Sequence, residues 1–312
     1  MSLAALFKRT GPTGFGAGST AEQVVEDLDL TDKHILVTGC NSGLGYETMR
    51  VLTERGACVL GCARTEQKAR EACDSVDGLA EPFVCELSEP ASVQACVEAA
   101  REFRRPLDAI ICNAGIMALP ELEQCNGYEK QFFTNHIGHF ILVTGLLDQL
   151  ADDGRVVTVS SYGHKMAPKE GIQFDNLSGE HGYSAWPAYG QSKLANLLFA
   201  KELARRFEAD DTDRVANAIH PGVIDTNLGR NMNAFMRAGM VLGGKLFFKS
   251  TEQGAATQTF AAVHPGAAGI NGEYLADCNI AKSSGKARDA ELAKRLWEES
   301  EKIVDELLGS RI

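Results

Sequence analysis

Short apolar runs alternate along the chain with longer amphipathic stretches. The runs at 34–38, 57–63, 82–86, 107–112, 155–160 and 215–219 are rich in Val, Ile, Leu, Ala and Cys and read as buried strands. Between them, residues 43–55, 66–76 and 89–103 predict helices, the last capped by Ser88, and a long helix is expected between 127 and 150. Another covers 193–207, where Leu194, Leu197, Leu198 and Leu203 recur at three- and four-residue steps. Strand followed by helix, repeated, predicts a parallel sheet covered on both faces, a doubly wound α/β fold.

The ends read differently. The Gly- and Thr-rich residues 1–18 predict an arm that lies on the surface or stays mobile. Ser19-Thr-Ala-Glu22 has the capping-box pattern and predicts a short helix to about residue 27. Asp289 caps a last helix that places Leu292, Leu296, Ile303 and Leu307 on one face, as a docking helix would. With no internal repeat or low-complexity linker, one domain is expected. It comprises an arm and short helix over 1–30, the sheet and its site over 31–280, and the docking helix over 281–312.

Composition narrows the classes. At 312 residues, 44% hydrophobic and 23% charged, the chain has the apolar content of an ordinary globule. A net charge of −11 argues against nucleic acid or an anionic membrane as the main partner. Nine cysteines without a C-x-x-C spacing fit a reducing, cytoplasmic setting better than a disulfide framework. No apolar stretch of about 18 residues predicts a membrane span. The apolar part of Met1 to Phe7 is short for a signal peptide, and its charges, Lys8 and Arg9, follow rather than precede it.

Two stretches carry candidate chemistry. Thr38-Gly-Cys-Asn-Ser-Gly-Leu-Gly45 joins the first strand to a helix; its glycines let a pyrophosphate approach the helix N-terminus, although tight packing alone also selects such turns. Tyr189 and Lys193 lie four residues apart, one helical turn, so an ammonium neighbours a phenol and lowers its pKa, unless the pair is simply a half-buried Tyr above a solvated Lys. His136-x-x-His139 lacks the spacing of a zinc helix, so no metal is expected and both read as packing or hydrogen-bonding histidines. Cys40 reads as a small residue chosen for fit, against the alternative of a redox-sensitive thiol.

The T-G-x-x-x-G-x-G spacing resembles the signature of the short-chain dehydrogenase/reductase family, and the similarity runs from about Ser19 to Leu308. Asn113-Ala-Gly115 resembles that family's N-A-G turn, with Cys112 in place of a frequent preceding Asn. Asn135, Ser161, Tyr189 and Lys193 match its catalytic tetrad. The 28-residue gap from Ser161 to Tyr189, with Asn135-His-Ile-Gly-His-Phe140 and Tyr274-Leu-Ala-Asp-Cys278, is similar to the retinol-dehydrogenase and WW-domain-oxidoreductase branch. The resemblance implies a Rossmann fold and hydride transfer between a nicotinamide and a carbonyl or alcohol. Tyr189 would then move the proton and Ser161 would bond the substrate oxygen. Lys193 would hold the ribose, and Asn135 would fix a water leading protons away. Cofactor contacts are expected from Thr38, Gly39, Asn41, Ser42, Gly43, Leu44, Gly45, Asn113, Ala114 and Gly115. Glu86 (usually Asp in the family) and Leu87 would sit by the adenine, and Pro221, Gly222, Val223 and Thr226 over the nicotinamide.

The second strand ends without an acidic residue and is followed by Arg64, which favours NADP over NAD, with Glu66 as a rival acceptor. A bulky apolar small molecule is the expected substrate. Its pocket would be framed by Trp186 with Met166, Phe174 and Tyr183, and by Met232 and Met236 with Phe235, Met240, Leu246 and Phe247. Two alternatives stay open: a nucleotide-binding sensor on the same fold, and an epimerase or dehydratase relative. A homo-oligomeric assembly is equally open.

Overall fold

A computed structural model describes residues 10–224 and 248–309. Its strands are β1 (His34–Thr38), β2 (Cys58–Ala63), β3 (Ala80–Val84), β4 (Leu107–Cys112), a small hairpin of β5 (Gln124–Cys125) and β6 (Tyr128–Glu129), β7 (Leu150–Val159), β8 (Val215–His220), β9 (Tyr274–Ala276) and β10 (Asn279–Ile280). All but the hairpin form one eight-stranded sheet in the order β10-β9-β8-β7-β4-β1-β2-β3, parallel except for β10. The order reverses between β1 and β4, the crevice where doubly wound sheets bind ligands.

Alternation along each strand feeds two cores. β1 sends Ile35 and Val37 to one layer and Leu36 to the other, and all three are fully buried. The first layer is closed by α1 (Ala21–Val25), α2 (Gly43–Glu54), α3 (Glu66–Cys73) and, much later in the chain, α8 (Thr251–Val263). The second is closed by α4 (Pro90–Glu102), α5 (Lys130–Phe132), α6 (Gly138–Thr144), α7 (Ala185–Ala209) and α9 (Ala290–Leu308). The last of these docks as expected: Leu296 and Ile303 are buried, and Trp297 packs edge-on against Phe140 at 5.0 Å.

Several boundaries differ from the sequence-based expectation. The first helix is capped by Thr20 with Gln23, one residue later than Ser19 with Glu22, and ends at Val25. β3 ends at Val84, so Pro82 lies within an edge strand, where its missing N–H is tolerated. Ser88 does not cap α4; it hydrogen-bonds Glu86, and the helix opens on Pro90 after Glu89. The span expected as one long helix holds part of the hairpin, two short α-helices, a π turn at Phe133–Ile137 and a 3-10 turn at Leu147–Gln149, and β7 begins five residues before 155. From residue 10 the arm is pinned rather than mobile: Asn279 Oδ1 accepts from Thr13, Asn279 Nδ2 donates to the Phe15 carbonyl, and the Phe15 ring lies edge-on to Phe260. α8, β9 and β10 have no counterpart among the expected elements.

Candidate active site

The phenol of Tyr189 is placed near the start of α7, one turn in from its first residue. That helix starts at Ala185, eight residues before the leucine pattern, because Pro187 is tolerated in a first turn where N–H groups lack partners anyway. Ser161 follows the end of β7; its hydroxyl oxygen accepts the Gly163 N–H at 3.0 Å, and the hydroxyl favours the ionised form of Tyr189. Gly163 must be small: a Cβ there would sit 2.8 Å from Tyr189 Cε1.

Lys193 is buried, with Nζ 5.9 Å from the centre of the Tyr189 ring and donating to the Val159 carbonyl at 2.9 Å. Burial pulls this ammonium down to about 8. The same burial pushes the Tyr189 phenol above its ordinary value, opposed by the bond from Ser161. The sequence assigned that opposing pull to Lys193. In the structure the ammonium is turned to Val159 and Ser161 supplies it.

Asn135 is fully buried inside the π turn. The additional residue in such a turn offsets the helix after it by about 100° from an uninterrupted α-helix. Asn135 thereby faces the N-A-G turn: its Oδ1 accepts Ile116 N–H at 2.8 Å and its Nδ2 donates to the Ile116 carbonyl and to Ser192 Oγ. One turn on, His139 Nδ1 donates to the Asn135 carbonyl at 3.0 Å, so its Nε2 accepts from Thr38 Oγ1 at 2.9 Å. Thr38 Oγ1 in turn accepts the N–H groups of Asn113 and Ala114, and Asn113 Nδ2 donates to the Thr38 carbonyl. Tetrad amide, histidine, glycine loop and N-A-G turn thus form one hydrogen-bonded unit.

The glycine loop is shaped for close approach. Gly39 has φ +71°, and a Cβ on Gly45 would collide with the Gly39 carbonyl. Ser42 at the N-cap of α2 makes no side-chain capping bond, which leaves first-turn N–H groups to an anion. Asn41 and Ser42 are exposed at the tip, whereas Leu44 is buried beneath it. Cys40 is buried; its hydrogen bond with Cys73, then burial, hold its thiol up, as expected of a residue chosen for fit.

A profile of the short chain dehydrogenase family matches residues 33–237. The chain belongs to that family. It is accordingly an NAD(P)-dependent enzyme acting on CH–OH or C=O groups. This short-chain dehydrogenase is 38% identical over 313 residues to short-chain dehydrogenase TIC 32 B, chloroplastic, of Brassica napus, covering 96% of this chain and 97% of that one. It is 39% identical over 295 residues to retinol dehydrogenase 14 of Homo sapiens, covering 87% and 86%. A crystal structure of an uncharacterised protein from Mycobacterium paratuberculosis superposes with TM-score 0.75 at 33% identity, over 92% of this chain and 98% of that one.

The other expected contacts of this dehydrogenase fall around the sheet's carboxyl edge. Arg64 is exposed directly after β2, and Glu66, its rival, accepts from Arg70 at 2.7 Å. Glu86 Oε1 accepts from Ser88, and the Leu87 carbonyl abuts Gly138. Gly115 lies where a Cβ would be 3.0 Å from Asn135 Oδ1 and 3.3 Å from Lys193 Nζ. After β8, Pro221 is buried, Gly222 has φ +101° and the Val223 carbonyl accepts from Lys249 N. Thr226, Met232, Phe235, Met236, Met240, Leu246 and Phe247 lie outside the described residues. Trp186 meets Tyr189 edge-on at 6.3 Å. Tyr183 and Phe174 do not join the site: Tyr183 donates to the Leu119 carbonyl, and Phe174 lies under the Arg295 guanidinium. A cavity of about 430 Å³ near α7 is lined by Met166, Ala188, Gln173, Tyr183 and Gln191 and by none of Ser161, Tyr189 or Lys193, so it lies beside the reacting groups rather than around them.

The sequence-based expectation missed Gln258. Its Nε2 donates to Thr48 Oγ1 at 2.7 Å and, more weakly, to Asn113 Oδ1 and the Leu44 carbonyl, fastening α8 to the loop. The signal was present: Ser250 and Gln253 form a capping box that announces the helix.

Proposed function

We propose that this dehydrogenase transfers hydride between NADP(H) and a bulky, largely apolar carbonyl compound or alcohol. The observation that carries the reading is the convergence of Ser161, through the Gly163 turn, and Lys193 on Tyr189, with Lys193 and Asn135 against the N-A-G turn. The nicotinamide supplies or takes the hydride. Tyr189, its hydroxyl held by Ser161, gives its proton to the substrate oxygen in reduction and takes it back in oxidation. The Ser161 oxygen already accepts Gly163 N–H, which leaves its own hydrogen for Tyr189 or the substrate. Lys193, charged below about pH 8, supplies a cation for a ribose and for the phenolate formed in turnover. Asn135 holds the Ile116 backbone and Ser192, and we assign its role to fixing that wall and a water beyond it.

NADP is favoured because Arg64 is exposed where a 2′-phosphate would lie, while Glu66 is occupied by Arg70. An apolar substrate is favoured by Tyr162, Met166 and Val223, large hydrophobic side chains 60%, 42% and 51% exposed on segments flanking Ser161, Tyr189 and Pro221. The retinol dehydrogenase relative points to the same substrate class. The nine free thiols, seven of them buried, support a reducing compartment such as the cytosol.

The test is oxidation of NADPH with 9,10-phenanthrenequinone, a steroid ketone, a terpenoid aldehyde and glyceraldehyde, for wild type and Tyr189→Phe. Bulky carbonyls should lead, and the variant should lose about 10²–10⁴-fold in kcat with its fold intact. Near-normal kcat in Tyr189→Phe, or a lead for glyceraldehyde, would overturn the assignment.

A further inference from the structure

Ser161 is held by its backbone as well as by its hydroxyl, and His164 does the holding. His164 is 1% exposed, in the 3-10 turn Tyr162–Met166 after β7. Its Nδ1 lies 2.6 Å from the Ser161 carbonyl, which also accepts the His164 N–H at 3.0 Å. Its Nε2 lies 3.1 Å from the N–H of Ser284, which is 120 positions away in the segment leading into α9. These partners fix the tautomer. A carbonyl oxygen only accepts, so Nδ1 carries the hydrogen; a backbone N–H only donates, so Nε2 carries the lone pair. Both ring nitrogens are used, and the ring stands edge-on to Tyr274 at 5.1 Å.

We propose that His164 is a positioning residue that sets the Ser161 hydroxyl against Tyr189 and couples it to the 283–289 segment through Ser284. The proposal rests on the assignment of Ser161 as the catalytic hydroxyl. Ser161, Gly163 and His164 form one tight turn: Gly163 N–H binds the Ser161 hydroxyl and its Cα faces the Tyr189 ring, while the imidazole binds the Ser161 carbonyl. A shift of His164 therefore moves the hydroxyl relative to the phenol. Protonation at Nε2 would set two hydrogens against each other at Ser284, so the arrangement needs the neutral ring. The titratable and charged groups facing the ring are Lys165 on its own turn, Tyr274 from β9 and, across Gly163, Tyr189 from α7. Burial first, then the Lys165 ammonium, hold His164 below the ordinary histidine value; its bond to the Ser161 carbonyl opposes them.

The experiment compares wild type, His164→Asn, His164→Phe and Ser161→Ala with NADPH and the panel's best carbonyl from pH 8 to 5, folding being followed by circular dichroism at each pH. Asparagine can still donate to the Ser161 carbonyl from the position of Nδ1; phenylalanine keeps the ring and donates nothing. His164→Phe should lower kcat about 10-fold or more, the scale on which a misplaced group costs rate, with KM for NADPH nearly unchanged. His164→Asn should recover most of that loss. Wild-type kcat should fall along a one-proton limb below pH 6.5, and His164→Asn should lack the limb. Unchanged kcat in His164→Phe, equal losses in both variants, or the same acid limb in His164→Asn would each overturn the proposal. If His164→Phe does not fold, the Asn variant and the limb still decide. Normal kcat in Ser161→Ala would remove the underlying assignment and the proposal with it, whereas loss there without loss in His164→Phe removes the proposal alone.

Discussion

Acid should loosen this protein through two histidines that its fold keeps neutral. His136 and His139 are each 1% exposed. Burial, helped by the neighbouring His139, pulls His136 down to about 3. Burial also pulls His139 down to about 4, helped by Lys193 and opposed by the Asn135 carbonyl. In the unfolded chain both titrate near 6.5. Because the folded values are depressed, the stabilisation is complete above pH 6.5 and is lost as pH falls towards 4 and 3. Within that window each group contributes about 1.4 kcal/mol per pH unit. Going from pH 7.5 to 5 therefore costs about 2 kcal/mol for each histidine and about 4 kcal/mol for both, a large share of a typical domain's 5–15 kcal/mol. Urea midpoints at pH 7.5, 6.5, 5.5 and 5.0 for wild type and a His136→Gln/His139→Gln protein isolate the effect. Glu129, whose carboxyl burial raises and which works in the opposite direction, is common to both and cancels. Parallel pH dependences in the two proteins would refute the argument.

Three further outcomes are expected. Arg64→Ala should raise KM for NADPH at least 10-fold and leave KM for NADH nearly unchanged; equal changes for the two cofactors would remove the 2′-phosphate contact. Thr38→Val keeps the shape but leaves the Ala114 N–H and His139 Nε2 without their partner, while the Asn113 N–H keeps the Ile111 carbonyl, and urea unfolding should report a loss of about 2–5 kcal/mol. Gly163→Ala would force a methyl to within 2.8 Å of the Tyr189 ring, so kcat should fall by more than 10-fold while the melting temperature changes little; a melting loss without a kcat loss would mean that the ring is not held there for chemistry.

The parallel core was legible, and the residues proposed as the tetrad could be named, because each rests on local patterns: five-residue apolar runs, a glycine spacing, and a phenol and an amine one turn apart. What was not legible depends on distance or on uniform burial. Beyond its Ser250–Gln253 capping box, α8 is buried nearly all round, so Ala255, Ala256, Thr257, Gln258 and Thr259 show no apolar stripe to mark a helix. β9 has three residues and β10 two, too few for alternation to register. The π turn leaves no composition signal, yet it directs Asn135 towards Ile116. The tuning of Tyr189 was assigned to Lys193 because sequence shows a charge four residues away; it does not show that Nζ would turn to the Val159 carbonyl.

Thr13 and Phe15 meet Asn279 across 266 and 264 positions of chain. During synthesis the arm leaves the ribosome well before its anchor does. Contacts this distant in sequence form late, after the loop between them has been closed. Until residue 279 emerges, the Phe15 carbonyl lacks its donor at β10 and the arm lacks this anchor beside Phe260 of α8. The clasp between arm and β10 therefore forms only once Asn279 has been made: in a polypeptide halted short of it, Thr13 and the Phe15 carbonyl lack these hydrogen-bond partners.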